Sequence, residues 1–237
     1  MESKQPLHAV ETITTIPTIP TVLTRITKLL QNPKTTAEEV GRAITVDQAL
    51  AAKVLKLVNS AFYGFPGRIS TITHAIVILG FNTVKNIVLT ASIFDTFRKN
   101  RNLMAMFDLE QFWYHSVGVG VASKVLARYF GVEEREESFI AGLVHDIGKL
   151  IICQYLTGDF KKIIANIKTK DILFIDSEKE LYDFTHQDVG GILTERWNLP
   201  QNLQFAVKFH HSPHPSREYY QSTAIVHCAD IFIRALD

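Results

Sequence analysis

Apolar residues recur at helical spacing along the first part of the chain. The first apolar face, which follows Pro20, consists of Val22, Leu23, Ile26, Leu29 and Leu30. This spacing places the five side chains on one side of a helix, and Asn32-Pro33 marks the end of that helix. Thr36 and Asp47 each precede a further apolar-periodic segment. Their side-chain oxygens can accept hydrogen bonds from free backbone amides, so the pattern predicts helices with Thr36 and Asp47 as N-caps.

The segment from Thr73 to about Phe97 is also predicted to be helical, with a break at Gly80. Its portion Ala75–Gly80 would also fit a buried β-strand, because a short apolar run does not distinguish the two structures. The helix is favoured, since the flanking segments are helical and the sequence offers no evident partner strand. Before this segment, the glycines and proline of Tyr63–Gly67 are typical of a turn.

The second part of the chain is predicted to be helical as well. Asp108 precedes a long helical pattern that ends at Gly131, a residue type that often follows a helix C-terminus. The next helix is predicted to begin in the acidic run Glu133–Glu137 and to continue past Leu150. A linker is expected through Asp176. Further helices are expected near residues 158–168, 178–195, 200–209 and 220–236. With no glycine pattern of a Rossmann fold or P-loop, the sequence predicts an all-α fold.

Changes in composition predict the domain boundaries. Residues 1–16 are polar and rich in threonine, which indicates an N-terminal extension. The polar stretch Lys99–Asn102 is predicted to separate two helical lobes, 17–102 and 103–237.

Composition and charge narrow the class of protein. A chain of 237 residues with 46% hydrophobic residues can bury a core without disulfides or a structural metal. Any bound metal is therefore expected to be functional. The net charge of +1 provides no strong field for nucleic acid or an anionic membrane. The sequence has neither a signal peptide nor an apolar run long enough to span a bilayer. A cytoplasmic protein is expected, with Cys153 and Cys228 reduced and buried.

Histidine and aspartate residues are concentrated in the second lobe. The set comprises His115, His145, Asp146, His186, His210, His211 and Asp230. Imidazole and carboxylate ligands together suit Fe, Mn, Zn, Ni or Co. As helical neighbours, His145 and Asp146 could reach one cation between them. An ionised Asp146 also needs compensation within the apolar sequence AGLVHDIGKLII. His115 and Asp230 are expected to complete the site, with His227 as a partner of Asp230.

Several sequence motifs resemble those of a known family. The sequence FIAGLVHDIGKLII resembles the signature of the HD superfamily of metal-dependent phosphohydrolases. The remaining motifs resemble the HDOD family of bacterial signalling proteins, and they are IPTIP, AITVDQALAAKVLKLVNSAFYG, ISTITHAIVILGFNTVKNIVL, DVGGILTERWNLPQNLQFAVKFHHSP and IVHCADIFIRALD. The resemblance extends from about Ile16 to the end of the chain. It implies an HD-domain-like helical bundle with an N-terminal helical lobe.

The resemblance also implies roles for individual residues. His115, His145, Asp146 and Asp230 match the four ligands that hold a single metal in HD phosphohydrolases. The histidines that hold a second metal in the related HD-GYP phosphodiesterases are matched by His186, His210 and His211. Lys149 matches the lysine that follows the HD pair, which makes Asp146 and Lys149 the candidate catalytic residues. After His211 the sequence departs from HD-GYP proteins, because Ser-Pro-His-Pro replaces their extension ending in Gly-Tyr-Pro.

The resemblance implies two classes of function. HDOD domains are generally regarded as signalling output modules, so the first is a regulatory domain that retains a site for one or two divalent metals. Its partners would be signalling proteins or a phosphorylated small molecule. The second is an active metal-dependent phosphohydrolase acting on a nucleotide or cyclic nucleotide. A scaffold that binds a phosphorylated ligand without hydrolysing it is a further alternative.

Overall fold

The computed structural model describes residues 21–59, 67–98, 107–133 and 135–236. They form two compact units, which divide between Phe97 and Arg98. Both units are built from helices, and no β-strand occurs within the described ranges, which confirms the all-α prediction. The predicted extension 1–16, the turn at 63–66 and the domain boundary at 102/103 lie outside the described residues, so the boundary stays a prediction.

The first unit consists of helices, several of which begin at a side-chain cap. Its helices are α1 (Thr21–Leu30), α2 (Ala37–Thr45), α3 (Gln48–Val58), α4 (Ile72–Leu79) and α5 (Phe81–Arg98). Thr36 caps α2 in a reciprocal arrangement, since its side chain accepts from the Glu39 amide and the Glu39 carboxylate accepts from the Thr36 amide at 2.8 Å. Asp47 caps α3 by accepting from the Leu50 amide at 3.0 Å. Both predicted caps are confirmed.

The alternative of a strand at Ala75–Gly80 is excluded, because Ala75–Leu79 form the end of α4 and Gly80 is the residue that follows it. Gly80 has a φ of 82°, a value that a side chain makes costly, and the chain turns there into α5. The predicted break at Gly80 is confirmed.

The second unit contains the predicted ligands. Its helices are α6 (Leu109–Tyr129), α7 (Arg135–Val144), α8 (Ile147–Tyr155), α9 (Thr157–Lys170), α10 (Phe174–Leu181), α11 (His186–Arg196), α12 (Gln201–Phe209), a 3₁₀ helix (His214–Tyr219) and α13 (Tyr220–Arg234). The long helix predicted after Asp108 is α6, and Asp108 caps it by accepting from the amides of Glu110 and Gln111 at 3.1 and 2.9 Å. Gly131 follows α6 with a φ of 70°, as expected for a residue that ends a helix.

The prediction of one continuous helix past Leu150 is wrong. Helix α7 ends at Val144 and α8 begins at Ile147, so His145 and Asp146 lie in a turn between two helices. The Gly142 carbonyl, which a continuous helix would use for the Asp146 amide, lies 2.6 Å from His145 Nδ1 and accepts its hydrogen bond. Apolar residues continue at helical spacing on both sides of this turn, so the sequence pattern did not indicate the break.

Two other helix boundaries differ from the prediction. Asp176 lies inside α10 rather than in a linker, because Asp171, the residue after α9, has a left-handed conformation and α10 already begins at Phe174. The helix predicted at 178–195 is two helices, α10 and α11. They separate because Thr185 caps α11, with the Asp188 carboxylate accepting from the Thr185 amide at 2.9 Å.

Glycines permit the close approach of the helices that carry the predicted ligands. A β-carbon on Gly148 in α8 would overlap the backbone carbonyl of His186 at the start of α11. A β-carbon on Gly190 in α11 would lie 2.6 Å from the Val207 side chain of α12. Real β-carbons do not come this close to other atoms. At these two points only the hydrogen atom of a glycine fits between α8 and α11, or between α11 and α12. This spacing brings the turn at His145-Asp146 towards His186.

The two cysteines have different environments. Cys153 is buried in α8, as expected, but Cys228 is exposed on α13. The expectation that both thiols are buried is therefore wrong for Cys228, because helical periodicity places it beside the buried Ala229 yet on the solvent side.

Within the described residues, no single helix has both the length and the apolar composition needed to cross a membrane. The segments Arg135–Tyr155 and Thr157–Lys170 pass such a test only as a pair, with a bend of 115° between them, and buried core helices pass it too.

We expect Gly148→Ala to destabilise the protein by about 3 kcal/mol, because the new methyl group forces α8 away from the His186 backbone. Chemical denaturation measures this change. Gly158→Ala is the matched control, since a β-carbon there meets nothing within 4 Å, and it should shift stability by less than about 1 kcal/mol. Equal stabilities for the two variants would contradict the close contact.

We expect one of the two thiols to react rapidly with Ellman's reagent in the folded protein. Burial raises the pKa of the Cys153 thiol to about 11, so it supplies little thiolate, whereas Cys228 is exposed. Cys228→Ser should remove the rapid phase and Cys153→Ser should leave it intact. Two equally rapid thiols would show that α8 is not packed as described.

Candidate metal centre

The seven ligands predicted from the sequence all lie in one cluster within the second unit. They are supplied by α6 (His115), the α7–α8 turn (His145 and Asp146), the start of α11 (His186), the end of α12 (His210 and His211) and α13 (Asp230). His115 and His211 are partly exposed and the other five are buried. A polar cluster of this size is thus enclosed by the helices, with two residues at its edge.

His115, His145 and Asp146 form one group that could hold a metal ion, with ligand atoms within 4.8 Å of one another. His145 Nε2 lies 3.3 Å from Asp146 Oδ2. Asp230 borders the same group, since its Oδ1 lies 3.2 Å from His115 Nε2 and 3.6 Å from His145 Nε2. Two imidazoles and two carboxylates therefore face a common point.

Asp146, His186, His210 and His211 form a second group of the same kind. The Nε2 atom of His186 lies 3.2 Å from Asp146 Oδ1, 3.2 Å from His210 Nε2 and 3.1 Å from His211 Nε2. Imidazole nitrogens that approach one another this closely share a proton or a cation. Three imidazoles thus converge on one oxygen of Asp146.

Asp146 belongs to both groups and turns one oxygen to each. Its Oδ2 faces His145, and its Oδ1 faces His186 and lies 3.6 Å from His210 Nε2. A carboxylate in this position can bridge two cations. The turn between α7 and α8 makes this possible, because it frees Asp146 from the side of a helix and directs it into the cluster.

The orientation of the imidazoles is fixed by bonds on the side away from the cluster. Nδ1 of His145 lies 2.6 Å from the Gly142 carbonyl, and Nδ1 of His210 lies 2.8 Å from the Val207 carbonyl. A carbonyl only accepts, so each Nδ1 carries a proton and donates it. The Nε2 atoms are then directed at the cluster, which is the orientation that metal-binding histidines adopt.

Charge is distributed unevenly within the cluster. Burial disfavours the ionised form of Asp146, but His145 and Lys149 hold the pKa of this carboxyl well below its ordinary value. Burial would also lower the pKa of His145, yet Asp146 and Asp230 outweigh it and raise that pKa to about 9. For His210, burial and the charge of His145 prevail over Asp146 and lower the pKa to about 4. The surroundings therefore favour the protonated form of His145 and disfavour that of His210.

Two cationic side chains contact the clustered carboxylates. Lys149 Nζ lies 2.5 Å from Asp146 Oδ2 and 5.1 Å from the centre of the Phe174 ring. Arg234 donates to Asp230 Oδ2 from one turn further along α13. Both side chains are partly exposed. The contact of Lys149 agrees with its predicted place at the site.

Three contacts of the cluster were not expected from the sequence. Arg234 binds Asp230, and its spacing of four residues along one helix is a signal that could have indicated the pair. Glu178 binds His186 across the break between α10 and α11, where no spacing rule applies. His227 was expected beside Asp230, but its Nδ1 lies 2.6 Å from the His210 carbonyl and donates to it.

The chemistry of the cluster fits a divalent metal ion. Within the described part of the chain, the buried atoms His145 Nε2 and Asp146 Oδ1 make no hydrogen bond of suitable geometry, although other candidate ligand atoms lie 3.2–3.3 Å away. Buried polar atoms normally have one, and these two face the points on which the other ligand atoms converge. Nitrogen and oxygen donors in this combination suit Fe, Mn, Co, Ni or Zn. A cation would satisfy both atoms.

Comparisons with known proteins agree with this architecture. The family model of the HDOD domain matches residues 16–213. An uncharacterized protein of Treponema pallidum is 27% identical over 213 residues, which are 89% of this chain and 40% of that protein. The chain thus spans about two fifths of that relative's length.

Solved structures share the fold. The structure of an HDOD domain protein of unknown function from Geobacter sulfurreducens aligns with a TM-score of 0.82 and 27% identity, covering 95% of this chain and 76% of that one. A protein from Shewanella amazonensis, named as a candidate phosphohydrolase, also aligns with a TM-score of 0.82, at 24% identity, covering 98% of this chain and 82% of that one. At this identity the second likeness shows the fold alone.

We expect divalent metal to raise the melting temperature of the protein, because a ligand that binds only the folded state stabilises it. At one hundred times Kd the gain is about 2.7 kcal/mol, which corresponds to a rise in Tm of roughly 5–10 °C. Asp146→Asn should abolish the rise, since this carboxylate belongs to both groups. Asp176→Asn, at an exposed position of α10, is the control. A rise that persists in Asp146→Asn would place metal binding elsewhere.

Proposed function

Because this chain belongs to the HDOD family, we propose that it is a bacterial signal-transduction output domain with a retained metal centre. The observation that carries the proposal is the complete His/Asp cluster at the centre of the second unit. The domain would act by binding a signalling partner protein or a phosphorylated small molecule in the cytoplasm. The Treponema pallidum relative is longer than the matched region, which is compatible with an output domain that is attached to other domains.

The proposed centre holds two ions that share Asp146. His115, His145, Asp146 and Asp230 would hold the first ion, at what we call the first position. Asp146, His186, His210 and His211 would hold the second ion, at the second position. The donor set favours Fe, Mn, Co, Ni or Zn, and elemental analysis of the purified protein identifies the metal.

A binding role is favoured over turnover by two features around the cluster. Lys149 and Arg234, the cations in contact with the cluster carboxylates, are each paired with one of those carboxylates. The sequence after His211 continues as Ser-Pro-His-Pro into the 3₁₀ helix, in place of the extension found in HD-GYP phosphodiesterases. The chain thus departs from the HD-GYP pattern directly after two of the candidate ligands, His210 and His211.

The second candidate function is a metal-dependent phosphohydrolase. The complete donor set favours it, and the related Shewanella amazonensis structure carries the name of a candidate phosphohydrolase. A bound metal would supply Lewis acidity and a water of lowered pKa. Asp146 would hold it, and the Lys149 ammonium, 2.5 Å from Asp146 Oδ2, would stabilise charge on a phosphoryl group.

A hydrolysis assay with the metal-loaded protein decides between the two functions. The panel contains nucleotides, cyclic nucleotides and a chromogenic phosphodiester, each with Mn²⁺ or Fe²⁺. We expect no turnover above that of Asp146→Asn, which lacks the shared ligand. Metal-dependent turnover that is lost in Lys149→Met, while the metal content stays unchanged, would overturn the output-domain proposal in favour of the phosphohydrolase.

Binding of a phosphorylated ligand without hydrolysis is measured with the same proteins. Calorimetry with non-hydrolysable analogues of the panel should show whether a ligand requires the centre. Binding that survives in the His145→Ala, Asp146→Ala double variant would exclude the centre as the site of that ligand and leave the protein partner as the proposed one.

A further inference from the structure

Glu178 is a buried carboxylate whose two oxygens both bind one residue, His186. Its Oε1 accepts from the His186 backbone amide at 2.8 Å, and its Oε2 lies 2.6 Å from His186 Nδ1. The exposed fraction of Glu178 is 0%. Placing a carboxylate in such an environment is costly unless a partner compensates it. Glu178 is therefore tied to the position and the charge of His186.

The two bonds fix both the backbone and the ring of His186. The hydrogen bond from the His186 backbone amide to Glu178 holds the first residue of α11. At this position no carbonyl of the helix is available to accept from that amide. The ring bond assigns the Nδ1 proton, because a carboxylate without a proton can only accept. Nε2 is thereby turned towards Asp146, His210 and His211, at 3.2, 3.2 and 3.1 Å.

His186 differs in this respect from the other oriented histidines of the cluster. His145 and His210 donate from Nδ1 to the neutral carbonyls of Gly142 and Val207. A carboxylate in that place makes the opposite nitrogen a stronger donor to a cation, because its negative charge stabilises positive charge on the ring. The effect of Glu178 on the ring should strengthen cation binding at the second position and not at the first, because His186 belongs to the second group alone.

We infer that Glu178 is a positioning residue that sets the metal affinity of the second position through His186. The inference rests on the two-ion centre proposed above. Removing the charge of Glu178 should weaken metal binding at the second position by 10–100-fold, the range typical of carboxylates behind metal-binding histidines, and leave the first position unchanged. The ratio of the two affinities is therefore the decisive quantity, because a merely structural role would weaken both positions together.

Glu178→Gln and Glu180→Gln form a matched pair of variants. Both residues belong to α10, but Glu180 is exposed and binds Lys170 and Asn166 at 2.5 and 3.0 Å, away from the cluster. Glutamine keeps the size of the side chain and one accepting oxygen, so the backbone bond to His186 can persist while the charged bond is lost.

The experiment titrates each full-length protein with Co²⁺ and follows heat and visible absorption. His211→Ala identifies the binding event of the second position. We expect that event to weaken selectively in Glu178→Gln and to match the wild type in Glu180→Gln. Equal affinities for Glu178→Gln and the wild type would overturn the inference and leave the proposed centre standing. A wild type that binds no metal would instead overturn the proposed centre, and the role of Glu178 with it.

A measurement on the wild type alone keeps the inference testable if Glu178→Gln fails to fold. In the Zn²⁺-loaded protein, nitrogen-correlated NMR of the imidazoles should show His186 bound to the metal through Nε2. Its Nδ1 proton should be shifted strongly downfield by the carboxylate. Coordination through Nδ1, or an Nδ1 proton without this shift, would overturn the assignment of Glu178.

Discussion

The buried carboxylate of Asp146 is the constraint around which the second unit is organised. An ionised group in this position is costly to bury and must be surrounded by compensating groups. His145, His186 and Lys149 all lie within 3.3 Å of its oxygens, and they come from the α7–α8 turn, α11 and α8. Polar contacts to this one side chain thus help to hold α8, α11 and the α7–α8 turn together, in addition to apolar packing.

Close helix packing is what makes this arrangement possible. Gly148 and Gly190 allow α8, α11 and α12 to approach more closely than any side chain would permit. The approach brings nitrogens from α11 and α12 to within 3.2 Å of each other. The glycines therefore determine how far apart the helices lie. That distance in turn determines how closely the polar side chains of the cluster interact.

The sequence predicted the features that depend on local rules. The caps Thr36 and Asp47 followed from short polar side chains ahead of apolar-periodic segments, and the candidate ligands followed from residue type and family motifs. The break at His145-Asp146 was missed because it depends on a hydrogen bond between the His145 ring and the backbone, which leaves the apolar pattern unchanged. Glu178 was missed for a related reason, as its contact with His186 spans two helices.

The contacts of Lys149 and Arg234 have a consequence for how the domain is assembled. Each side chain already acts as a counter-ion to a carboxylate of the cluster, Lys149 to Asp146 and Arg234 to Asp230. Both side chains are long and partly exposed, so each reaches its carboxylate from the edge of the cluster. The negative charges of Asp146 and Asp230 are thus balanced by side chains of the protein itself. Small domains that fold only around their metal lack such a balance. Binding of a metal at the proposed centre would then replace one cation with another.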